Sequence, residues 1–373
     1  MEKRMVISAD SHVVEPDDLW TKAIGQKWGD KVPHVVESHQ GEKGPWLYCG
    51  KEYINLSGAL DVDDETADKL NRANVDPQVR LECLDEDGIY AEVLYSTTTM
   101  LLMRADSDAL VRDGCAVFND WMIEYCSQAP RRLYGCGQVH MEDPDWACRE
   151  LDKLAKAGMR AAMINTDMRP YWPRYQDSVY DPFWAKAEEA GIPIMIHIVA
   201  GNKRDPFTTF GEERKDVGRM LIDLFTDGPI TLANEFIFGG IMDRFPNLKL
   251  VLGEYELSWY PYWLFRAEQV QDIFIPMIGG TPPKEKVRDY MKRVGQGIID
   301  DPFVSSAKDL LDWDTVMWGS DFPHPRCTYP DSLKVIDEKL GHLGPEIVEK
   351  VTITNAARFY NIDVPQEMLQ AAE

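Results

Sequence analysis

Five side chains of this sequence can bind a cation or transfer a proton, and each follows a short apolar run. They are Asp10, His12, His197, Glu254 and Asp321. Asp10 and His12 are two residues apart at the end of the first run. On a strand both would face the same side while Ser11 points away. Imidazole and carboxylate groups that converge in this way can bind a divalent cation or transfer a proton.

The combination of imidazole and carboxylate predicts a first-row metal ion without naming it. Zinc takes both ligand types, and manganese and iron(II) accept them equally well. Alone, each residue has a simpler interpretation: a single D-x-H is a weak signal, His197 could be a core histidine, and Asp321 could cap the next turn. The metal hypothesis therefore depends on the joint occurrence of Asp10, His12, His197 and Asp321.

These side chains meet only if the apolar runs are neighbouring strands of one sheet. Short apolar runs alternate with amphipathic stretches, a pattern typical of β-α repeats. Strands are predicted at Met5–Ala9, Tyr90–Tyr95, Leu133–Val139, Ala161–Asn165, Ile192–Ile198, Leu248–Leu252, Val294–Ile299 and Thr315–Trp318. Eight such strands favour an α/β fold with a single (β/α)₈ TIM barrel over residues 1–373, and an open doubly wound sheet is the alternative. In a barrel, chemistry lies at the C-terminal strand ends.

Two polar segments do not fit the alternation. Lys31–Asp76, with a hairpin predicted over Trp46–Ile54, is interpreted as an insertion after strand one that overhangs the barrel mouth. Lys203–Asp227, after strand five, is interpreted as a lid or an interface helix. No internal repeat or domain linker separates these segments from the barrel.

Composition limits the partners of this chain. Its 373 residues include 63 acidic and 40 basic side chains, a formal charge of −23, which disfavours nucleic acid and anionic membrane surfaces. The seven cysteines form no C-x-x-C pair, and we expect reduced thiols in a cytoplasmic protein. The N-terminus has no signal-peptide pattern, and no apolar run is long enough to span a membrane.

Five segments of the chain resemble the amidohydrolase superfamily, in particular the group that includes aminocarboxymuconate-semialdehyde decarboxylase. The segments are Ala9–Pro16, Ile194–His197, Phe245–Leu252, Gly319–Pro325 and Asn355–Tyr360. The resemblance extends over almost the whole chain in the expected order. It implies a TIM barrel, frequently dimeric, with metal ligands from strands one, five and eight.

The chain departs from the family pattern at three places. Asp10 stands where the family's usual H-x-H begins, as in some aromatic-acid decarboxylases, and Glu254 lies near the place of a strand-six histidine. Asn165 and Thr166 end strand four, where binuclear hydrolases of the superfamily carry a carboxylated lysine. This last difference disfavours a lysine-bridged pair of metal ions.

The residues allow several catalytic assignments. Asp321 is the best general acid/base candidate. A carboxylate that contacts both a metal ion and its bound water can take a proton from that water or give a proton to a carbanion. His324 could assist it, and Glu254 could be a ligand, a second base or a buried partner of Arg266. His140 follows strand three and is a weaker candidate at the barrel mouth.

The substrate predicted from this site is a small aromatic or unsaturated carboxylic acid, which needs cations and apolar walls. Loop residues at the expected end of the barrel could supply both. Cations come from Arg169, Arg174, Lys203, Arg204 and Arg326, and aromatic walls from Trp172, Trp259, Tyr260 and Phe322. Ordinary surface charge and core packing are the simpler interpretations of these residues.

Three functions remain open at this point. The first is a lyase or hydrolase that uses one divalent ion, zinc or manganese, for decarboxylation or for C–N or C–C hydrolysis. The second is an O₂-dependent hydroxylase that holds two ions including iron, with Glu254 and His324 as further ligands. The third is a non-catalytic barrel paired with a homologous subunit. A homodimer is also expected, and the aromatic stretch Tyr255–Phe265 could form its interface.

Overall fold

The computed structural model describes residues 5–50, 52–56, 64–201 and 217–365. Its strands are β1 Val6–Val13, β2 His34–His39, β3 Glu42–Cys49, β4 Glu52–Asn55, β5 Ile89–Ser96, β6 Leu133–Val139, β7 Ala161–Ile164, β8 Ile194–His197, β9 Leu250–Gly253, β10 Val294–Ile298 and β11 Val316–Trp318. Eight of them form one parallel sheet in the order β1-β5-β6-β7-β8-β9-β10-β11. This sheet confirms the predicted barrel and the eight strands expected in it.

Backbone hydrogen bonds join the segment after the last barrel strand to the first strand. The Asp321 amide donates to the Asp10 carbonyl at 3.0 Å, and the His12 amide donates to the Phe322 carbonyl at 2.7 Å. The sheet therefore closes at the end of β1 where Asp10 and His12 lie. Closure places the polar ends of the first and last strands side by side.

Helices separate the barrel strands and cover them. They are α1 Leu19–Trp28, α2 Asp64–Val75, α3 Pro77–Asp87, α4 Thr98–Leu102, α5 Asp108–Ser127, α6 Pro144–Lys156, α7 Asp181–Ala190, α8 Val217–Thr231, α9 Ile241–Arg244, α10 Tyr260–Gln269, α11 Ile275–Met277, α12 Val287–Met291, α13 Val304–Ala307, α14 Ser332–Leu340, α15 Pro345–Glu349 and α16 Asn355–Tyr360. Asp76 caps α3 by accepting from the Gln78 amide, and Pro77 occupies its first turn. Gly88 ends the same helix in a left-handed conformation and leads directly into β5.

Alternation along the strands divides the core into two layers. On β7, Ala162 and Ile164 pack outward against the helices, whereas Ala161 and Met163 point into the barrel. The inner layer is therefore a packed core below the mouth, and the polar strand ends lie above it. This arrangement is the usual one for a TIM barrel.

The two predicted insertions differ in how far the structure describes them. Within the first, β2, β3 and β4 form an antiparallel sheet, and Leu47 pairs with Ile54 in the hairpin expected there. Residues 51 and 57–63 of this segment lie outside the described residues. Of the predicted lid, residues 203–216, including Lys203 and Arg204, lie outside them as well, and the rest belongs to α8.

The seven cysteines are all free, and five are buried. Within the described ranges, no helix combines the length and apolarity needed to cross a bilayer. A cytoplasmic location, a homodimer and an assembly with a homologous barrel remain predictions.

Candidate metal centre

Asp10 and His12 lie on an irregular part of β1, where the register with β5 shifts between Ser8 and Ser11. Both side chains are buried at the barrel mouth. On the opposite side, the hydroxyl of Ser11 lies 2.9 Å from that of Ser8 and 3.1 Å from that of Ser320. The serine contacts anchor β1 to the segment that precedes Asp321, while the acid and the imidazole face inward.

Two glycines make room for the ligands at the ends of the neighbouring strands. A Cβ on Gly319 would lie 2.4 Å from the Cβ of Asp10, and one on Gly253 would lie 2.6 Å from Cδ2 of His197. Any other residue would displace a ligand at either position. Asp321 itself has a left-handed backbone with φ of 55°, an unfavourable conformation for a residue with a side chain.

The four predicted ligands lie close together without hydrogen-bonding one another. His12 Nε2 is 3.3 Å from Asp10 Oδ1 and 3.6 Å from Asp321 Oδ1, and His197 Nε2 is 3.7 Å from Asp10 Oδ2. Within the described residues both carboxylate oxygens of Asp10 and the Nε2 atoms of His12 and His197 have no hydrogen-bond partner. Ligands about 2.1 Å from one ion lie roughly 3–4 Å apart, and buried polar atoms rarely stay unpaired. The residues therefore fit a divalent metal ion.

Backbone carbonyls orient both imidazoles. His12 Nδ1 lies 3.1 Å from the Ser96 carbonyl oxygen, and His197 Nδ1 lies 2.8 Å from that of Ile198. A carbonyl can only accept, so Nδ1 of each neutral ring holds the hydrogen and Nε2 presents its lone pair to the centre. Metal-binding histidines are commonly oriented by such contacts.

The electrostatics of the cluster also favour a cation. Burial raises the pKa of Asp10, but the imidazoles of His12 and His197 outweigh burial and hold it well below its ordinary value. Burial and the nearby His324 lower the pKa of His12 to about 4. Although burial opposes it, Asp10 raises the pKa of His197 to about 9. The buried carboxylate thus requires a positive charge, either a proton on His197 or a metal ion.

Glu254 follows β9 with a left-handed φ of 62° and points toward the centre. Its Oε2 lies 3.8 Å from His197 Nε2, and burial raises its pKa to about 7. The predicted pairing with Arg266 is wrong, because Arg266 is exposed and its guanidinium bonds to Gln269 and Tyr262. Glu254 therefore lies beside the centre, and its role as a ligand or a base remains a prediction.

His324 joins the centre from the loop after β11. Its Nδ1 is 2.7 Å from Asp321 Oδ1, and its ring stacks on that of His12 with centroids 4.0 Å apart. Nε2 lies 3.0 Å from the Thr97 hydroxyl. Sequence reasoning missed Thr97, since no spacing rule relates it to a residue 227 positions away.

The three described arginines predicted to bind substrate have protein partners. Arg169 is buried and donates to the carbonyls of Asp106 and Ala105, Arg174 pairs with Glu235, and Arg326 pairs with Asp300. Arg326 is 78% exposed and Arg174 53% exposed, so both could exchange these partners for a ligand. Substrate binding by the three arginines remains a prediction.

The predicted aromatic wall is wrong for Phe322. This ring is buried in a separate apolar cluster with Leu70, Val79 and Cys83, and the Arg80 guanidinium lies 4.4 Å from its centroid. The strand end turns Phe322 away from the mouth because Asp321 before it points inward. The other three rings are packed in different ways.

Trp259 and Trp172 make edge contacts with neighbouring rings. Trp259 is half-buried against Trp263 and Tyr260. Trp172 contacts His140, whose Nε2 lies 2.9 Å from Asp108 Oδ1. His140 is fully buried, and burial lowers its pKa. It is thus a neutral, carboxylate-oriented imidazole.

Comparison with known proteins gives the family. The sequence model described as Amidohydrolase (Amidohydro_2) matches residues 100–362, more than half of the chain. The chain therefore belongs to the amidohydrolase family, as the sequence resemblance predicted.

Two curated relatives extend this result. Gamma-resorcylate decarboxylase of Polaromonas sp. is 28% identical over 63% of this chain and 72% of the relative. The 2-amino-3-carboxymuconate-6-semialdehyde decarboxylase of Dictyostelium discoideum is 22% identical over 83% of this chain and 81% of its own length. The resemblance to the decarboxylase group is confirmed.

Solved structures share the fold. An amidohydrolase from Mycobacterium avium subsp. paratuberculosis superposes with a TM-score of 0.76 at 19% identity, covering 96% of this chain and 100% of the other. Dihydroxybenzoic acid decarboxylase from Polaromonas sp., with bound manganese and 2-nitroresorcinol, gives 0.67 at 18% identity, covering 98% and 99%. At these identities the likeness concerns the fold alone.

Proposed function

We propose that this chain is a metal-dependent carboxy-lyase that removes CO₂ from a small aromatic or unsaturated carboxylic acid. The observation that supports this most strongly is the group of buried, unpaired polar atoms on Asp10, His12 and His197, which Asp321 approaches at 3.6 Å from His12 Nε2. The names of the relatives, decarboxylases of aromatic and unsaturated acids, favour this reaction over hydrolysis.

Asp10, His12, His197 and Asp321 would hold one divalent ion, for which manganese and zinc both suit the ligand types. Manganese in a decarboxylase of the same fold supports the first choice. When bound, such an ion supplies the positive charge that holds a substrate carboxylate and a neighbouring oxygen. The chain's own task is then to orient the acid and to move a proton.

The proton must reach the carbon that loses CO₂, since R–CO₂⁻ plus H⁺ gives R–H and CO₂. Asp321 and His324 are the first candidates, because His324 Nδ1 lies 2.7 Å from the Asp321 carboxylate and the ring lines a cavity beside the centre. Glu254 is the second candidate, with a carboxyl whose pKa burial raises to about 7. A proton donor of this kind typically accelerates a reaction by about 10²–10⁴-fold.

The test is CO₂ release by the manganese-loaded protein from 2,6-dihydroxybenzoate and related hydroxyaromatic acids. In D₂O the product should carry deuterium at the vacated carbon, which reports the protonation step. Asp10→Asn is the matched control, because it removes a ligand charge at nearly constant volume. Metal-loaded protein that hydrolyses esters or amides but releases no CO₂ from any acid would contradict a carboxy-lyase.

A two-metal hydroxylase is the second candidate. Asp321 and His324 form a second possible ligand group with His12, which overlaps the first group. However, His12 Nδ1 faces the Ser96 carbonyl, so its ring offers one nitrogen and would serve one ion. Elemental analysis separates the two: about one manganese or zinc per chain favours the lyase, and about two ions including iron, with O₂ consumption, favour the hydroxylase.

A further inference from the structure

An apolar cavity of about 290 Å³ lies beside the metal centre, and we call it the roof cavity. Thr97 at the end of β5 and His324 from the loop after β11 form its inner wall. Leu47 and Ile54, paired across β3 and β4, cover it from above, and Trp20 of α1 borders it. The insertion after β1 therefore builds one side of a binding space.

The roof cavity is lined mainly by aliphatic side chains. Leu56, Leu70 and Leu101 come from three separate segments and face it together. Among its described lining residues there is no lysine or arginine, whereas Glu15 and Asp17 are acidic. An apolar occupant fits this lining, and a second carboxylate would lose its hydration without gaining a cation.

The cavity and the metal centre share one side chain. His324 lines the cavity, and the same ring stacks on His12 and approaches Asp321 at 2.7 Å. A molecule whose carboxylate lies at the predicted ligands would have to pass the edge of the His324 ring to extend into the cavity. Thr97 fixes the ring between the two spaces.

The size of the cavity limits what extends into it. A dry cavity of about 150 Å³ accommodates benzene, so 290 Å³ exceeds the space of one ring. A single-ring acid held at the metal ligands would leave it unfilled. Filling it with a further ring would bury additional apolar surface at roughly 25 cal/mol per Å².

We propose that the substrate is a monocarboxylic acid with an apolar, uncharged extension, about one further ring or an equivalent alkyl group, which occupies the roof cavity. This inference rests on the proposed function, because the metal centre must hold the carboxylate. It assigns the insertion a role in choosing the substrate.

The first experiment measures binding by calorimetry, without turnover, to manganese-loaded protein. The ligands are benzoate, biphenyl-4-carboxylate and biphenyl-4,4′-dicarboxylate. We expect the biphenyl monoacid to bind about tenfold or more tightly than benzoate, because its second ring is buried. The diacid should bind about tenfold or more weakly than the monoacid, since its distal carboxylate would lose its hydration against a lining without a described lysine or arginine.

Variants locate the binding in the cavity. Ile54→Trp should fill the space and reduce the ratio of biphenyl-monoacid affinity to benzoate affinity to about one. Tyr53→Trp is the matched control, because Tyr53 is the neighbouring residue on β4 and does not line the cavity. Leu56→Arg should reverse the preference and favour the diacid, since it adds the missing cation.

The outcomes separate this inference from the proposed function. Equal affinities for benzoate and the biphenyl monoacid, or an Ile54→Trp variant that binds like wild type, would overturn the roof-cavity assignment and leave the lyase proposal intact. Metal-loaded protein that binds none of these three acids would overturn the roof-cavity assignment, while the lyase proposal would still be decided by CO₂ release. Tight binding of the biphenyl monoacid without CO₂ release from any acid would overturn the lyase proposal alone.

Discussion

Two buried charged clusters lie on opposite sides of the strands that bear the ligands, and they differ in how completely they are paired. Outside the barrel, Arg80 and Glu92 are fully buried and form two hydrogen bonds of 2.6 and 2.8 Å. Inside, the carboxylate of Asp10 and Nε2 of His12 have no hydrogen-bond partner among the described residues. The difference separates a structural ion pair from a site prepared for a ligand.

The outer cluster also positions the inner one. Arg80 donates to the carbonyl of His12 at 2.8 Å and to the carbonyl of Phe322 at 3.3 Å. These carbonyls belong to a ligand and to the residue after Asp321. The Arg80 guanidinium therefore holds both strand ends in place. The Arg80–Glu92 pair thus stabilises the positions of Asp10 and His12.

The largest effect should follow from removing the unpaired ligands. Asp10→Ala combined with His12→Ala should abolish metal binding and reduce decarboxylation by about 10³-fold or more. The metal-free variant should stay folded, because it loses no hydrogen bond of the two side chains except that to the Ser96 carbonyl. Elemental mass spectrometry measures the metal content, and circular dichroism measures whether the variant is folded. Unchanged metal content would refute the ligand assignment.

Breaking the paired cluster should act on stability. Arg80→Met should lower the free energy of unfolding by about 3–5 kcal/mol, since it leaves Glu92 buried without a cation. Urea titration measures the loss, and Arg288→Met in the exposed pair with Glu268 is the control, expected to cost about 1 kcal/mol or less. A loss no larger than that of the control would show that the buried pair is not structural.

His324→Gln should affect catalysis and spare the metal. We expect kcat to fall about 10²-fold with metal content unchanged, because the proton donor is lost while the predicted ligands remain. Thr97→Val is the matched control, which removes only the hydroxyl 3.0 Å from Nε2 and should have a smaller effect. Loss of the metal in His324→Gln would instead make His324 a ligand.

The smallest effect concerns a third buried carboxyl, Glu15, which has hydrogen-bond donors but no cation among its contacts. Burial raises its pKa above 4.5 although Thr98 and Thr99 donate to it. A raised folded-state pKa means that folding favours the protonated form, so its contribution to stability is full below pH 4.5 and decreases as pH rises through the folded-state pKa. Relative to Glu15→Gln, the free energy of unfolding of wild type should therefore rise as pH falls across that window, as urea titration at several pH values would measure.

Much of the fold was predictable because alternation and apolar runs are local properties of the chain. The first strand, predicted at Met5–Ala9, extends over Val6–Val13 because polar ligands continue the strand beyond the apolar run. Leu133–Val139 was predicted with its observed bounds. Hydrophobicity marks strand cores and misses the polar ends where chemistry occurs.

The sequence by itself determined which residues converge. Strand order places Asp10, His12, His197 and Asp321 at one end of a barrel. The two-residue period of a strand places the side chains of Asp10 and His12 on the same face. The tertiary structure decided what surrounds them: Arg80 behind β1, His324 on Asp321, and the insertion above the roof cavity. Those contacts join residues far apart in the chain, and packing sets them rather than any local pattern.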